Sequence, residues 1–205
     1  MPDKITTTIK KRIETANPGT VFFSSDFTDI ASSTTVRKNL GRLADAGMLR
    51  RIVDGIYEKP SYSPLLMEEL PADPEKVAYA IADKYRWTIA PSGDIALNKL
   101  GLTTQVPVVW SYISDGPYRD YSWDNIRLCF KHRNNRSITN MSQITIMMIE
   151  ALRTLGQENV NQTVINQLKR HITDENRERI ISEARNSAEW IYNTLKEVCE
   201  KGCKE

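Results

Sequence analysis

The sequence is poor in cysteine and contains no long apolar run. Its three cysteines, Cys129, Cys199 and Cys203, form an odd and sparse set among 205 residues, which excludes a disulfide framework. The longest apolar stretch, Ile144–Ile149, is far shorter than the ~18 residues that a membrane-spanning helix needs. The N-terminus lacks the basic and then apolar segments of a signal peptide. We therefore expect a cytoplasmic chain with reduced thiols and no membrane partner.

Residues that carry metal or catalytic chemistry are also scarce. The chain has two histidines, His132 and His171, and neither has a nearby acid or thiol in the sequence that suggests a triad. There is no Asp-x-Asp pair of the kind that holds metal in nucleotidyltransferases, no Walker loop and no Gly-x-Gly-x-x-Gly motif. Cys199 and Cys203 stand four apart without the further ligands that structural zinc requires. These absences predict a protein that is not an enzyme and that has neither a cofactor nor a metal site.

Charge of the two signs is nearly balanced. The formal net charge is +2, from 28 Lys+Arg and 26 Asp+Glu, so composition alone does not indicate nucleic-acid binding. Residues 1–60 contain ten Lys or Arg and seven Asp or Glu, a net charge of +3, and the remainder carries −1. This asymmetry is compatible with a basic DNA-facing module at the N-terminus but does not by itself demonstrate one.

The first part of the chain contains patterns that predict several short helices and strands in succession. Ile5, Ile9 and Ile13 recur at four-residue spacing, which predicts an amphipathic helix that ends at Asn17-Pro18-Gly19. A β-branched and aromatic stretch then predicts a strand, and Ser24-Ser25-Asp26 and the serines of Ala31-Ser32-Ser33 can each cap a helix that follows. The predicted elements are a helix over 3–16, a strand over 20–23, a short helix over 24–30 and a third helix over 34–46.

A β-hairpin is predicted directly after the third helix. The runs Leu49–Val53 and Ile56–Lys59 are joined by Asp54-Gly55, and Asp-Gly favours a type I′ turn with positive φ at both central residues. Helix, strand, helix, turn, helix and hairpin, in that order, are typical of a winged helix-turn-helix. We therefore predict a winged helix over residues 1–60.

The third helix has two chemically different faces. At 100° per residue, Val36, Leu40 and Leu43 fall together as a buried stripe. The opposite face carries hydroxyls and long cations, which can contact base edges and phosphates in the major groove. Gly41 is unusual in a helix interior, and close approach of the helix to a partner is one use for it. The predicted DNA-binding residues are Thr34, Thr35, Arg37, Lys38 and Arg42 on this helix, with Arg50 and Arg51 on the wing.

The remainder of the chain predicts a mixed α/β domain that ends in a helical segment. Four prolines between residues 60 and 74 indicate a linker or an extended strap. We therefore predict an α+β fold with domains over 1–60 and 75–205, joined by residues 61–74. The expected elements of the second domain are helices over 75–85 and 95–100, strands over 87–90, 106–113 and 126–131, and C-terminal helices over 141–155, 159–171 and 173–201.

The second domain contains a basic cluster and several large aromatic residues. The cluster is interpreted either as an exposed loop or as a second phosphate-contacting patch. Its members are Lys131, His132, Arg133 and Arg136. The aromatic residues are interpreted as core and strand-face residues rather than as a stacking platform; they include Trp87, Trp110, Trp123, Trp190, Tyr112, Tyr118 and Tyr121.

Two segments of the sequence carry a family resemblance. The first is Ser33–Leu43 together with Gly47–Tyr57, and the second is Pro91–Pro107 together with Ser114–Pro117. The first resembles the start of the AbiEi-type antitoxins of bacterial type IV toxin–antitoxin, or abortive-infection, systems, and the second resembles the start of the second domain of those proteins. The similarity covers most of the chain, and its second segment is the more discriminating one.

The resemblance implies two activities. It implies that the winged helix binds double-stranded DNA at the protein's own promoter and represses transcription there. It also implies that the C-terminal domain counteracts a nucleotidyltransferase-like toxin without forming a stable complex with it. The alternatives that stay open are a stand-alone transcriptional regulator and a protein-interaction winged-helix module, both without a toxin partner.

Overall fold

α-Helices and β-strands are mixed along the chain, as predicted for an α+β protein. The structure is a computed structural model that describes residues 2–133 and 140–200. No helix within these ranges is both long enough and apolar enough to cross a membrane. The helices are α1 (Pro2–Thr15), α2 (Ser33–Asp45), α3 (Pro74–Tyr85), α4 (Asp94–Lys99), α5 (Gln143–Leu155), α6 (Gln162–Lys169), α7 (Asp174–Ala184) and α8 (Glu189–Cys199). The strands are β1 (Val21–Phe23), β2 (Arg50–Val53), β3 (Ile56–Glu58), β4 (Ser61–Ser63), β5 (Glu68–Leu70), β6 (Ile89–Pro91), β7 (Val109–Ser114), β8 (Arg119–Trp123) and β9 (Ile126–His132).

The chain divides into two compact units, one of residues 1–81 with 121–125 and one of residues 82–120 with 126–205. This division differs from the predicted domains 1–60 and 75–205 with a linker over 61–74. The expected linker is an antiparallel hairpin, in which Ser61 pairs with Leu70 and Ser63 with Glu68. The four prolines stand just outside its strands or at the first position of α3, where a missing N–H group removes no ladder or helix hydrogen bond.

The first unit contains a three-stranded antiparallel sheet in the order β1-β3-β2. The β2–β3 hairpin forms where Asp54-Gly55 predicted it. Its turn differs from the expected type, because only Gly55 has positive φ (76°) and the strand register shifts between Arg51 and Val53. The short helix expected over 24–30 is a 3-10 turn at Ser24–Phe27 followed by irregular turns.

The core of the first unit lies between α1, α2 and this sheet. Ile9 and Ile13 of α1, Val36 and Leu40 of α2 and Phe27 of the 3-10 turn have no solvent-exposed surface. The apolar stripe predicted for α1 is therefore its buried face. Burying these side chains contributes roughly 1.5–3 kcal/mol each, so the core fixes the position of α2.

Strands β6, β7 and β9 of the second unit lie next to one another in that order. β6 runs antiparallel to β7, and β7 runs parallel to β9 with Val109 opposite Arg127 and Ser114 opposite His132. The helices of this unit share an apolar core that includes Leu100, Leu152, Leu168 and Leu195. Strand β8 lies outside every element that the sequence pattern predicted.

The prediction of a single helix over 173–201 is wrong, because the helix is interrupted between α7 and α8. The amide and the hydroxyl of Ser187 both donate to the Ala184 carbonyl, at 2.9 and 2.6 Å. A serine hydroxyl that takes a backbone carbonyl in this way competes with helix continuation. Residues 185–188 therefore form a turn that ends one helix before the next begins at Glu189.

A partly buried carboxylate joins α5 to α7. Glu183 accepts hydrogen bonds from the amide and hydroxyl of Ser142 at 2.9 and 2.7 Å, from Thr145 Oγ1 at 2.6 Å and from Arg179 Nε at 2.7 Å. Burial by itself raises the pKa of Glu183, but these hydrogen bonds outweigh burial and hold the pKa below its usual value. Glu183 is therefore an ionised link in the second unit.

Candidate nucleic-acid interface

α2 presents the two faces that the sequence predicts. Val36, Leu40 and Leu43 are buried, which confirms the predicted apolar stripe. Asn39 is buried beside them, and its Oδ1 accepts a hydrogen bond from Thr6 Oγ1 at 2.6 Å. Its Nδ2 donates to the Thr35 carbonyl at 2.9 Å. Asn39 therefore links α1 to α2, a role that sequence reasoning missed although its spacing from Val36 and Leu43 places it on the inward face.

Two further cations, also missed by sequence reasoning, link α1 to other parts of the first unit. Arg12 donates to both carboxylate oxygens of Asp29, at 3.0 and 2.6 Å, and to the Asp26 carbonyl at 2.7 Å. The hydrogen bond from Arg12 lowers the pKa of Asp29. Lys59 Nζ donates to carbonyl oxygens at the C-terminal end of α1, of Glu14 at 2.8 Å and of Ala16 at 2.7 Å, where a cation suits the helix dipole.

The outward face of α2 carries cations that have no partner among the residues that the structure describes. Arg37, Lys38 and Arg42 are exposed, and no hydrogen bond or ion pair within the described residues engages their side chains. Thr34 is exposed as well, whereas Thr35 is half-buried with its hydroxyl 3.0 Å from Ser32 Oγ. The first turn of α2 contains no acidic residue, so its positive dipole end is not neutralised from within the helix.

Arg51 extends the cationic face of α2 onto the hairpin. Its guanidinium carbon lies 5.5 Å from the centre of the Tyr57 ring, and its side chain is exposed. A Cβ atom built on Gly41 would stand 3.3 Å from Arg51 Nη2. Gly41 thus leaves room for Arg51 against the helix, an internal use in place of the expected approach of a partner. We name the residues Thr34, Arg37, Lys38, Arg42 and Arg51 the α2–Arg51 surface.

Arg50 points elsewhere, although it was predicted to contact DNA with Arg51. Its Nη1 donates to Glu58 Oε2 at 3.1 Å and to the Leu70 carbonyl at 2.8 Å, and its Nη2 lies 3.2 Å from Glu69 Oε2. Glu58 is buried, and burial raises the pKa of its carboxyl against the opposing effect of Arg50. Arg50 is therefore a structural partner, and we do not include it in the α2–Arg51 surface.

The second predicted basic patch does not form one surface in the residues that the structure describes. Lys131 and His132 are consecutive in β9, so they point to opposite sides of the sheet. His132 Nδ1 donates to the Gly116 carbonyl at 2.8 Å, and Arg133 Nη2 lies 3.9 Å from the buried Glu150. Arg136 lies outside the described residues.

Comparison with known proteins places the chain in a family. Residues 8–180 match the family described as "Family of unknown function (DUF6088)". This chain belongs to that family. The DUF6088 match begins within α1 and ends within α7, so it includes the whole α2–Arg51 surface. A comparison with curated proteins found no match.

Proposed function

We propose that this DUF6088 protein binds double-stranded DNA through a winged helix-turn-helix in its first unit and represses transcription from its own promoter. In this proposal α2 is the recognition helix, which enters the major groove. The β2–β3 hairpin is the wing, which contacts the phosphate backbone through Arg51.

The observation that carries the proposal is the set of four unpartnered or exposed cations on the α2–Arg51 surface. Arg37, Lys38 and Arg42 come from one helix, and Arg51 reaches that helix from the neighbouring strand. The only carboxylate on α2, Asp45, is its last residue. A rigid helix with free cations and hydroxyls towards its N-terminal half can reach guanine edges and phosphates without first breaking an internal ion pair.

The supporting contacts give this surface a fixed geometry. Asn39 joins α2 to α1 through Thr6, and the buried stripe of α2 packs on the core. A helix whose position is already fixed loses less conformational entropy on binding. The backbone positions that carry the unpartnered cations would thus stand at a set spacing to the two DNA strands.

The direct test is a gel shift, together with fluorescence anisotropy, on the DNA upstream of the gene. We expect Arg37→Ala/Lys38→Ala/Arg42→Ala to lower duplex affinity by roughly two orders of magnitude or more, since one arginine on a base contributes about 1–3 kcal/mol. The slope of log affinity against log salt should also become shallower by ~0.9 for each phosphate contact that is lost. Arg51→Ala should weaken binding by about the same factor for every duplex sequence, as expected for the loss of a phosphate contact.

A matched control removes the same charge from the second unit. Arg170, Arg185 and Lys196 are exposed, so Arg170→Ala/Arg185→Ala/Lys196→Ala changes net charge equally. It should leave duplex affinity nearly unchanged. Equal losses for the two triple variants would refute α2 as the binding surface. Wild-type binding without steep salt dependence would favour the protein-interaction alternative.

We also propose, from the resemblance to AbiEi-type antitoxins, that the second unit counteracts a nucleotidyltransferase-like toxin. The two activities should separate, since the α2–Arg51 surface belongs to the first unit. Where such a toxin gene neighbours this one, the α2 triple variant should lose promoter repression in a reporter assay. The same variant should still restore growth to cells that express the toxin. Loss of both activities would contradict the separation.

A further inference from the structure

Three segments of the second unit bring aromatic rings and cations together. Tyr85 stacks on Trp87 with ring centres 4.9 Å apart and planes at 23°. The Arg119 guanidinium carbon lies 5.1 Å from the centre of the Tyr85 ring and 5.7 Å from that of Trp87. The Trp87 ring in turn has its centre 5.6 Å from that of the buried Phe130, with the two planes at 69°. The result is a ladder of flat groups that begins in the core and reaches the surface.

The outer end of this ladder is exposed, since Tyr85 is 46% exposed. Tyr118, the residue before Arg119 in the chain, is 74% exposed. This corrects the interpretation of Tyr118 as a core or strand-face residue, whereas Tyr112 and Trp123 are buried as interpreted. The Tyr118 ring has its centre 6.2 Å from that of His132, at 61° to it.

Gly116 contacts both Trp87 and His132. Gly116 is buried against Trp87, and a Cβ atom there would come within 2.4 Å of the indole ring. The Gly116 carbonyl accepts the hydrogen bond from His132 Nδ1. The same turn therefore sets both Trp87 and the imidazole that Tyr118 faces.

Two arginines lie beside these rings. Arg86 separates Tyr85 from Trp87 in the sequence and is exposed, and Arg119, also exposed, lies against both rings. Asp120, the neighbour of Arg119, pairs with Arg127 at 2.9 Å.

We propose that Tyr85, Tyr118 and Arg119 form a stacking platform for the unpaired bases of a single-stranded nucleic acid. Aromatic faces and a planar guanidinium stack on bases of any sequence, and neighbouring cations follow the phosphates. In a duplex the base faces are covered by their neighbours, so a duplex offers these rings little. The platform lies in the second unit, which makes this inference independent of duplex binding by α2.

The test measures the anisotropy of fluorescein-labelled oligothymidylate and oligouridylate of about 20 nucleotides, titrated with the full chain. We expect saturable binding, and an affinity about tenfold lower in Tyr118→Ala and in Arg119→Ala. Tyr118→Phe keeps the ring and should retain the affinity. The control is Tyr62→Ala, which removes a ring that is 57% exposed on β4 and should change nothing.

The outcomes separate this inference from the proposed function. The α2 triple variant should keep single-strand affinity while it loses duplex affinity. The ratio of the two oligonucleotide affinities tells whether the strand is DNA or RNA. A wild-type chain that binds neither oligonucleotide overturns the platform, as does a loss in Tyr62→Ala equal to that in Tyr118→Ala. Equal weakening of duplex binding by the platform variants overturns its assignment to unpaired bases.

Discussion

Replacing Arg50 by alanine should destabilise the folded chain far more than replacing its neighbour Arg51. Arg50 is the direct ion-pair partner of Glu58, whose side chain is only 4% exposed. Arg50→Ala would leave that carboxylate buried and without its main partner. Arg51, by contrast, lies exposed over the Tyr57 ring.

The magnitude follows from the cost of an unpaired buried charge. Removing one partner of a fully buried pair costs about 3–5 kcal/mol, and because 22% of the Arg50 side chain is exposed we expect ~2–4 kcal/mol near neutral pH. Exposed side chains such as Arg51 usually contribute within about 0.5 kcal/mol. The two adjacent substitutions should therefore differ by at least ~1.5 kcal/mol in the free energy of unfolding.

The loss should depend on pH in a defined direction. Because burial raises the pKa of Glu58 above its unfolded value, its contribution favours folding below the unfolded pKa. That contribution is lost as the pH rises through the folded pKa. Arg50→Ala removes a neighbour that opposes the rise, so the folded pKa increases further. The destabilisation should therefore grow from mildly acidic to neutral pH.

Urea denaturation of four chains at two pH values measures these quantities. The chains are wild type, Arg50→Ala, Glu58→Gln and the double variant. Glu58→Gln removes the charge that needs Arg50, so the double variant should recover part of the stability that Arg50→Ala loses. A pH-independent effect of Arg50→Ala, together with strictly additive changes in the double variant, would refute the buried ion pair as the cause.

Three further substitutions test other parts of the structure. Gly41→Ala should stabilise the chain by about 0.5–1 kcal/mol in urea, because the new Cβ meets only the movable end of Arg51; a loss of stability would show that Arg51 cannot yield. Gly116→Ala should lower stability by about 1–3 kcal/mol in thermal unfolding, because its Cβ would overlap the Trp87 ring. In a Trp87→Ala background the same substitution should cost less, and an equal cost there would show that the overlap is not the cause. Glu183→Gln should destabilise the chain near neutral pH by ~1–2 kcal/mol. Because its hydrogen bonds lower the folded pKa of Glu183, the difference in stability from wild type should shrink as the pH falls through that pKa. A difference that widens in acid would contradict this.

Much of the first unit could be predicted from the sequence, because its elements have strong local signals. The spacing of Val36, Leu40 and Leu43 identifies the buried face of α2, and Asp54-Gly55 identifies the β2–β3 hairpin. The β4–β5 hairpin could not be predicted in the same way. Each of its strands has three residues, which is too short for an alternating pattern, and the prolines around them are equally typical of a linker.

The candidate site was predicted less completely, because it depends on contacts between distant residues. Strand geometry requires Arg50 and Arg51 to point to opposite sides, so both could not serve one surface. Which of the two faces outward depends on Glu58, Glu69 and Leu70, whose positions the local pattern does not give. The same alternation separates Lys131 from His132.

The contact between Arg50 and β5 decides where the smallest working fragment can end. A chain cut after residue 60 would keep every residue of the α2–Arg51 surface. It would lose the Leu70 carbonyl and the Glu69 carboxylate that hold Arg50, and it would expose the Arg50–Glu58 pair to water. The strand β2, which presents Arg51 and pairs with β3 alone in its sheet, would then lose these contacts of Arg50. Transferring this surface to another protein therefore requires β4 and β5 as well, up to about Ile81, where the N-terminal segment of the first unit ends.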